Sequence, residues 1–371
     1  MKFNVTSGEL VKSLSAVVGA VPNKATLPIL ETVLFETEDN RIKLSASDLE
    51  VSIIEYVKAD VEIQGAVAVP ARRLLETLRQ LPDIPVTFEV DERTQVRFRT
   101  DKGTYKLAGE KSEDFPDMPT LEDGKQIKID TKDLKDAIKK TSFAVSSDDL
   151  RPAMMGVFFD IGEEESRVVA TDGHRLVRLV RKDISSSGPI SFIVPEKALT
   201  LVSKALDESS CEMVVTADHV SFQSGNTQII TRLINEQYPR YESVIPREND
   251  KTLKINRDQM LAAVKRVSVF SSSTTRQIRL EMKPDEIVIS AEDLDMSSEA
   301  KESIASEYSD EPMEIGFNAR YLMDVLNNID DPEVVFEFST PNRAGIVRPS
   351  VQEDDEDMLM LVMPVMLNTY S

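Results

Sequence analysis

The sequence lacks most of the features by which secreted proteins, membrane proteins and enzymes are recognised. It contains no tryptophan, one cysteine and two histidines in 371 residues. One cysteine excludes an internal disulfide framework and is typical of a chain kept in a reducing compartment. No apolar run approaches the roughly 18 residues that a membrane helix needs, and the start has no apolar signal core. The composition therefore predicts a cytoplasmic globular protein with no membrane partner.

Motifs for catalysis and for cofactors are also missing. There is no G-x-S-x-G turn, phosphate-binding loop, dinucleotide fingerprint or metal-ligand cluster. The one fragment that looks catalytic, Asp172-Gly173-His174, contains the Asp-Gly pair typical of a tight turn between strands. We predict no catalytic residue, no metal and no cofactor. A hydrolase that uses His174 is kept as an alternative.

What the chain does contain is a long internal repeat. Four landmarks recur in the same order at intervals of 121 to 126 residues: Pro70, Pro195 and Asn318; Asp48, Asp172 and Asp293; Leu10, Leu134 and Met260; Pro116, Pro239 and Pro364. A period this long corresponds to a whole domain and not to a solenoid unit. We predict three copies of one domain, at 1–120, 126–246 and 252–371, each long enough to bury its own core.

Each copy is predicted to hold two amphipathic helices and about seven or eight strands. The first helices, at 8–20, 132–141 and 257–267, follow residues that favour helix N-caps. The second helices, at 71–81, 196–206 and 319–329, follow a proline or an asparagine. Alternating apolar residues between the helices predict antiparallel hairpins. The fold class is therefore α+β, with the helices on one face of antiparallel sheet.

Acidic residues are in excess, but the excess is unevenly distributed. The net charge of the chain is −21. The six predicted helices together carry +7, which leaves −28 for everything else. If the helices share one surface, that surface would meet a polyanion through its phosphates, without base recognition and with strong salt dependence.

Several motifs resemble one family along essentially the whole chain. They are Leu27-Pro28-Ile29-Leu30, the run 151–159, the heptapeptide Ala170-Thr171-Asp172-Gly173-His174-Arg175-Leu176, Val194-Pro195, Tyr238-Pro239-Arg240-Tyr241 and the terminal stretch 362–367. Together they resemble the bacterial DNA polymerase III beta subunit, the replicative DNA sliding clamp.

This resemblance implies a head-to-tail homodimeric ring of six domains around double-stranded DNA, with the helices lining the hole. Helix packing favours two chains independently. With axes 8–10 Å apart, six helices enclose a circle only about 15–19 Å across, whereas twelve enclose about 31–38 Å. The implied function is that of a processivity factor without catalytic activity. Its implied partners are the DNA polymerase III alpha subunit, the clamp loader, other polymerases and repair proteins.

The resemblance also implies three sets of site residues. A hydrophobic groove that captures partner peptides maps onto Met154, Thr171, Gly173, His174, Arg175, Leu176, Pro239, Val244, Leu361, Val362, Met363, Pro364 and Val365. DNA contacts map onto Lys24 and Arg151, with helix cations Arg72, Lys139, Lys140, Lys197, Lys265 and Arg266 as further candidates. The dimer interface is expected to join Tyr105 and Leu107 to Val269 and Phe270.

The chain departs from the family pattern at the edge of the groove. Ser243 and Met366 stand where basic residues are common, and the chain continues past Leu367 through residues 368–371. An acidic run at 353–357 precedes the last strand and is expected to be a solvated loop. A protein-binding scaffold built from three repeated domains, with no role on DNA, is the second alternative.

Overall fold

The computed structural model describes residues 1–367 and has the same order of elements in each repeat, so the predicted tail at 368–371 lies outside the described residues. The first repeat contains β1 (Lys2–Thr6), α1 (Ser7–Val17), β2 (Thr32–Glu38), β3 (Arg41–Ser47), β4 (Val51–Lys58), β5 (Asp60–Ile63), β6 (Ala66–Pro70), α2 (Ala71–Arg79), β7 (Pro85–Val90), β8 (Gln95–Arg99) and β9 (Thr104–Ala108). The second contains β10 (Lys125–Asp130), α3 (Thr131–Ser142), β11 (Gly156–Ile161), β12 (Ser166–Thr171), β13 (Arg175–Arg181), β14 (Ile190–Pro195), α4 (Glu196–Ala205), β15 (Ser210–Val215), β16 (His219–Ser224) and β17 (Thr227–Arg232). The third contains β18 (Lys251–Asn256), α5 (Arg257–Val267), β19 (Gln277–Lys283), β20 (Glu286–Asp293), β21 (Ser298–Ala305), β22 (Glu307–Tyr308), β23 (Met313–Asn318), α6 (Ala319–Asn327), β24 (Glu333–Phe338), β25 (Gly345–Pro349) and β26 (Glu356–Val362).

All six predicted helices are present, and the α+β class is confirmed. Their starts follow the expected caps: the side chains of Thr6, Asn256 and Asn318 each accept a bond from a backbone N–H in the first turn of the next helix. Four helices end before the predicted residue. In α2 the reason is a last turn tightened to a 3₁₀ pattern, with the amide of Gln80 donating to the carbonyl of Thr77.

The first and third repeats have one strand more than predicted. The additional strands are the short edge strands β5 and β22, which pair with β1 and β18 respectively. The second repeat has the expected eight strands within the described residues. No helix in residues 1–367 is long and apolar enough to cross a lipid bilayer.

Sheets continue from one repeat into another. The last strand of the second repeat, β17, pairs antiparallel with β4 of the first repeat. The last strand of the third repeat, β26, pairs antiparallel with β13 of the second. The chain consequently packs into two units: a first unit of Met1–Lys135 and Lys197–Leu233, and a second unit of Asp136–Glu196 and the residues from Ile234 onward. The three domain bounds predicted above therefore remain a proposal.

An aromatic row crosses one sheet of the first unit. Phe3, Phe88, Phe98 and Tyr105 lie directly opposite one another on β1, β7, β8 and β9. Their rings stack with centroids 4.8, 6.4 and 4.8 Å apart along the row. The three phenylalanines are fully buried, each contributing about 1.5–3 kcal/mol. Tyr105 ends the row half-buried, because no strand follows β9 in this sheet.

The seam between β4 and β17 contains a buried carboxyl group. Glu55 on β4 is 8% exposed and lies opposite Thr227, whose hydroxyl donates to its Oε2 at 2.6 Å. Burial raises the pKa of Glu55, and the bond from Thr227 opposes part of that rise. The seam therefore holds a group whose charged form is disfavoured in the folded chain.

We predict that Glu55→Gln raises the midpoint of thermal unfolding at pH 7 by about 1–4 °C. Because the folded pKa is raised, the neutral carboxyl is favoured in the folded state, and its stabilisation is lost as pH rises above the ordinary value of 4.5. The gain from glutamine should therefore grow with pH from about 4.5 upward. Calorimetry of both proteins between pH 4 and 8 measures this gain. Glu50→Gln, at an exposed site, is the control and should change the midpoint less than Glu55→Gln.

Candidate functional site

An apolar groove of about 500 Å³ lies in the second unit. It is lined by Met154, Thr171, Gly173, Arg175, Leu176, Pro239, Arg240, Tyr241, Ser243, Val244, Ile245, Pro246, Asn342, Arg343, Ala344, Leu361 and Met363. Nine of the thirteen residues predicted for a peptide groove are in this set. The structure thus brings together side chains from three distant stretches of the sequence.

The other four predicted groove residues lie beside the cavity. Val362 is buried within β26, and Val365 pairs with Gly316 through an isolated bridge. Pro364, between them, is half-buried. His174 is exposed, and its ring stacks on that of Tyr321 with centroids 5.6 Å apart. Their roles in binding remain predictions.

The turn between β12 and β13 forms one wall of the groove. The Oδ1 of Asp172 accepts bonds from the amides of His174 and Arg175, at 2.8 and 3.0 Å. Gly173 has a φ of +88°, and a Cβ there would stand 2.8 Å from the Nη1 of Arg151. That same Nη1 donates to the carbonyl of Asp172 at 2.8 Å. Glycine is therefore required both by the backbone angle and by the guanidinium beside it.

Arg175 fixes this turn to the third repeat. Its Nε lies 3.2 Å from a carboxylate oxygen of Asp172, and its Nη1 donates to Asp324 on α6. Its Nη2 donates to the carbonyl of Phe143 at 2.7 Å, and its guanidinium lies 5.1 Å from the ring centroid of Tyr321. Only 7% of the residue is exposed. The charge of Arg175 is therefore compensated by its partners, and its role is to hold the turn in place.

The floor of the groove is the seam between β13 and β26. Leu176 lies opposite Leu361, and the amide of Met363 donates to the carbonyl of His174 at 2.8 Å. The apolar cluster beneath comprises Val169, Leu176, Ile193, Tyr238, Tyr241, Ala344, Ile346, Leu359 and Leu361. Burial raises the pKa of Tyr238, whose hydroxyl donates to the carbonyl of Val169 at 3.4 Å. The resulting surface is apolar, lies on a buried and well-packed cluster, and is open to solvent on its outer side.

Two stretches that line the groove were not predicted from the sequence. The turn Asn342–Ala344 before β25 lines it, as do Arg240, Tyr241, Ile245 and Pro246. Residues 239–246 could have been found, because the recognised stretch 238–241 leads directly into them. Nothing in the local sequence marks Asn342–Ala344, because it reaches the groove only through the pairing of β25 with β26.

Most cations predicted for DNA contact have a carboxylate partner. Lys139 pairs with Asp330, Lys140 with Asp136 and Glu356, Arg151 with Asp148, Lys197 with Asp48 and Arg266 with Glu302. Lys24, Arg72 and Lys265 are exposed and have no ion pair within residues 1–367. Arg72 also donates to the carbonyl of Val21 at 3.0 Å. A role in DNA binding stays a prediction for all eight.

The acidic run at 353–357 is the expected loop only in its first part, 353–355, where Glu353 and Asp354 are exposed. Glu356 and Asp357 begin β26, and the Oε1 of Glu356 lies 2.7 Å from the Nζ of Lys140. Asp357 pairs with Arg178 at 2.6 Å and with Arg348 at 2.8 Å. Strand pairing is part of the cause, because it places Glu356 opposite Arg181 and brings Asp357, opposite Val180, within reach of Arg178 two residues along β13.

Three α+β repeats, together with this apolar groove, are the features of a protein of the sliding-clamp class. Family models of the DNA polymerase III beta subunit match nearly all of the chain: the N-terminal domain at 1–119, the central domain at 128–240 and the C-terminal domain at 242–366. The beta sliding clamp of Pseudomonas aeruginosa is 32% identical over 375 residues, covering 99% of this chain and 100% of the relative. That of Vibrio cholerae is 30% identical over 370 residues, with the same coverage.

Solved structures agree with these sequence matches. The Pseudomonas aeruginosa DNA polymerase III subunit beta bound to griselimycin superposes with a TM-score of 0.93 at 30% identity, covering 99% of this chain and 100% of that one. The Bacillus subtilis sliding clamp gives 0.93 at 28% identity, covering 99% of both chains. The chain belongs to the DNA polymerase III beta subunit family, the non-catalytic sliding clamps of DNA replication. The hydrolase alternative is therefore wrong.

We predict that Asp324→Asn loosens the groove without touching its lining. Loss of this carboxylate leaves Asp172 as the remaining ion-pair partner of Arg175, at a cost of roughly 1 kcal/mol because Asp324 is itself about a third exposed. We expect a lower unfolding midpoint. We also expect a short peptide containing Leu and Phe to bind with a dissociation constant about threefold to tenfold higher, which corresponds to a loss of about 1 kcal/mol in binding free energy. Calorimetry and fluorescence anisotropy measure the two effects.

The matched control is Asp330→Asn, which removes an exposed ion pair with Lys139. It should change neither quantity, because exposed pairs contribute little. Equal behaviour of the two variants would contradict the role given to Arg175.

Proposed function

We propose that two copies of this chain close head to tail into a ring around duplex DNA. In this proposal the ring holds the DNA polymerase III alpha subunit on DNA by topology, through a peptide segment seated in the groove. The clamp loader, other polymerases and repair proteins use the same groove in turn. The setting is the cytoplasm, which suits the single, buried Cys211, whose pKa burial raises to about 12. The observation that carries the ring is a pair of unpaired strand edges.

Those edges follow from the pairing between repeats. In the first and second repeats, the third strand after the first helix pairs with a last strand from elsewhere in the chain: β4 with β17, and β13 with β26. The equivalent third strand of the third repeat is β21, and the remaining last strand is β9. Both lie at sheet edges within the described residues. Pairing β9 of one copy with β21 of another would complete the pattern, and two such contacts would close a dimer.

Side chains beside both edges support this contact. Tyr105, at the end of the aromatic row, and Leu107 are half-buried on β9. Val269 and Phe270, directly after α5, are 78% and 41% exposed. Apolar side chains grouped beside a free sheet edge are typical of a surface that meets another protein. A second chain would cover all four.

The groove supports the tether. Burying one Leu or Phe side chain contributes about 1.5–3 kcal/mol. Two such anchors with a few hydrogen bonds correspond to roughly −8 kcal/mol, or micromolar affinity. Binding of this strength would hold a polymerase only while the ring also holds the DNA, and would let partners exchange. The flexible side chains of Met154 and Met363 suit such varied ligands.

We predict that Phe270→Glu weakens dimerisation at least about tenfold, because a charge would enter an apolar interface. Analytical ultracentrifugation at micromolar concentration should give a wild-type mass of twice 41.5 kDa and a variant mass approaching 41.5 kDa. Val351→Glu, at a site 75% exposed on another loop, is the control and should remain dimeric. A monomeric wild type would refute the ring.

The topological part is tested on DNA. Wild-type protein loaded onto circular plasmid should be retained through gel filtration and released when the plasmid is cut once. Phe270→Glu should not be retained on either form. A scaffold with no role on DNA would give no difference between circular and linear plasmid.

We also predict that Lys24→Gln and Lys265→Gln each reduce the salt dependence of duplex binding. Every lost phosphate contact should lower the slope of log K against log salt by about 1. Binding of a duplex oligonucleotide between about 50 and 200 mM salt measures this slope. Lys139→Gln is the matched control: Lys139 is also a candidate for DNA contact, but its ion pair with Asp330 should make its effect on the slope smaller. A larger effect from the control would mean that the DNA contacts lie elsewhere.

A further inference from the structure

The groove has a charge that its apolar floor does not explain. No Asp or Glu side chain is among its lining residues in the described part of the chain. Yet acidic residues outnumber basic ones by 65 to 44 in the sequence. Three arginines, Arg175, Arg240 and Arg343, do line it. The lining therefore contains basic side chains and no acidic ones, although the protein as a whole is strongly negative.

Two of these arginines are available to a ligand. Arg175 is buried and held between Asp172 and Asp324. Arg240 and Arg343 are exposed, and neither has a carboxylate within 4.0 Å among residues 1–367. Nine of the fourteen arginines in the second unit do have such a partner. The free guanidinium groups thus stand at the rim of the apolar cavity.

Neighbouring carboxylates are engaged elsewhere. Glu242, two residues after Arg240, lies 3.7 Å from the Nη1 of Arg167. Arg167 also pairs with Glu165 at 2.6 Å. A second pocket, of about 530 Å³, lies on the other side of the loop at 239–243 and shares Arg240 with the groove. It also contains Arg247, which is exposed and likewise lacks an ion pair within the described residues.

Guanidinium groups in this position fit carboxylates on a peptide better than they fit a polyanion. Arginine presents a planar fork that binds a carboxylate through two parallel hydrogen bonds. A nucleic acid would offer phosphates, but the −21 net charge of the chain would repel it. It would also leave the apolar floor of the groove without an apolar partner. A peptide with two apolar anchors and one acidic residue satisfies both features.

We propose that the groove selects peptides that carry Asp or Glu beside their apolar anchors, and that Arg240 and Arg343 recognise this carboxylate. The proposal rests on the groove being the peptide-binding site proposed above. It makes both arginines specificity residues, which discriminate between partners without supplying the main binding energy. An exposed pair of this kind changes affinity by about fivefold at most, and salt screens it.

The test compares peptides that differ at one position. Three peptides share the same Leu and Phe anchors, are acetylated and amidated, and carry Asp, Asn or Lys beside the anchors. Anisotropy titrations at about 50 mM salt should show the Asp peptide binding three- to fivefold more tightly than the Asn peptide, and the Lys peptide more weakly. The preference should shrink at about 1 M salt, where the screening length is only about 3 Å.

The double variant Arg240→Gln with Arg343→Gln should lose the preference and bind the Asn peptide within about twofold of wild type. Arg276→Gln removes another exposed arginine that has no ion pair in residues 1–367, outside the groove lining, and should keep the preference. Equal binding of Asp and Asn peptides by wild type, or an undiminished preference in the double variant, would overturn the proposal.

Met363→Ala separates this proposal from the one beneath it. Met363 lines the groove and is 40% exposed, so its loss should weaken all three peptides by a similar factor. If the peptides bind but Met363→Ala has no effect, the groove is not the binding site and both proposals fail. If Met363→Ala weakens every peptide while wild type shows no Asp preference, only the proposal about the rim fails.

Discussion

Antiparallel pairing between strands of different repeats is the contact on which the rest of this structure depends. Each repeat supplies a third strand and a last strand, and neither is satisfied inside its own repeat. The pairings β4 with β17 and β13 with β26 give the chain its two long sheets and distribute the second repeat between two units. Because Leu176 and Leu361 lie opposite each other in the second pairing, the groove exists only where two repeats have joined.

The turns at the two seams share a conformation but differ in one residue. Asp48 and Asp172 occupy equivalent positions in the repeats, and each is followed by a residue with positive φ: Leu49 at +77° and Gly173 at +88°. Glycine at the second seam leaves space for the guanidinium of Arg151 against the turn. At the first seam, the leucine side chain is 52% exposed. The turn conformation is therefore kept at both seams, while the residue after the aspartate differs between them.

Much of the fold was predictable because its signals are local. Thr6, Asn256 and Asn318 mark helix starts by bonding to amides two or three residues away. The long repeat in the sequence also indicated how many repeated domains the chain contains. The pairing of strands between repeats could not be predicted, since it depends on backbone edges that carry no distinctive side chains. The extra edge strands β5 and β22 were missed for the same reason.

The site was predictable where its residues are consecutive and unpredictable where they are not. The heptapeptide at 170–176 contains most of one wall. The link from Arg175 to Asp324 spans 149 residues, and the pairs that engage Lys139 and Lys140 span 191 and 216. No window of sequence contains both members of such a pair. A count of helix charges therefore overestimates the positive charge that the folded chain leaves available.

Strands β9 and β21 leave a newly made chain with two sheet edges open to strand addition. Until a second copy arrives, each presents a row of unsatisfied amides and carbonyls, to which any extended polypeptide could add. Lys106 on β9, and Glu299 and Lys301 on β21, are exposed along these rows. Charged side chains of this kind disfavour indiscriminate strand addition. Resistance to aggregation in the single chain and fidelity of its assembly therefore depend on the same few positions, so a substitution there would show first as poor recovery of the protein.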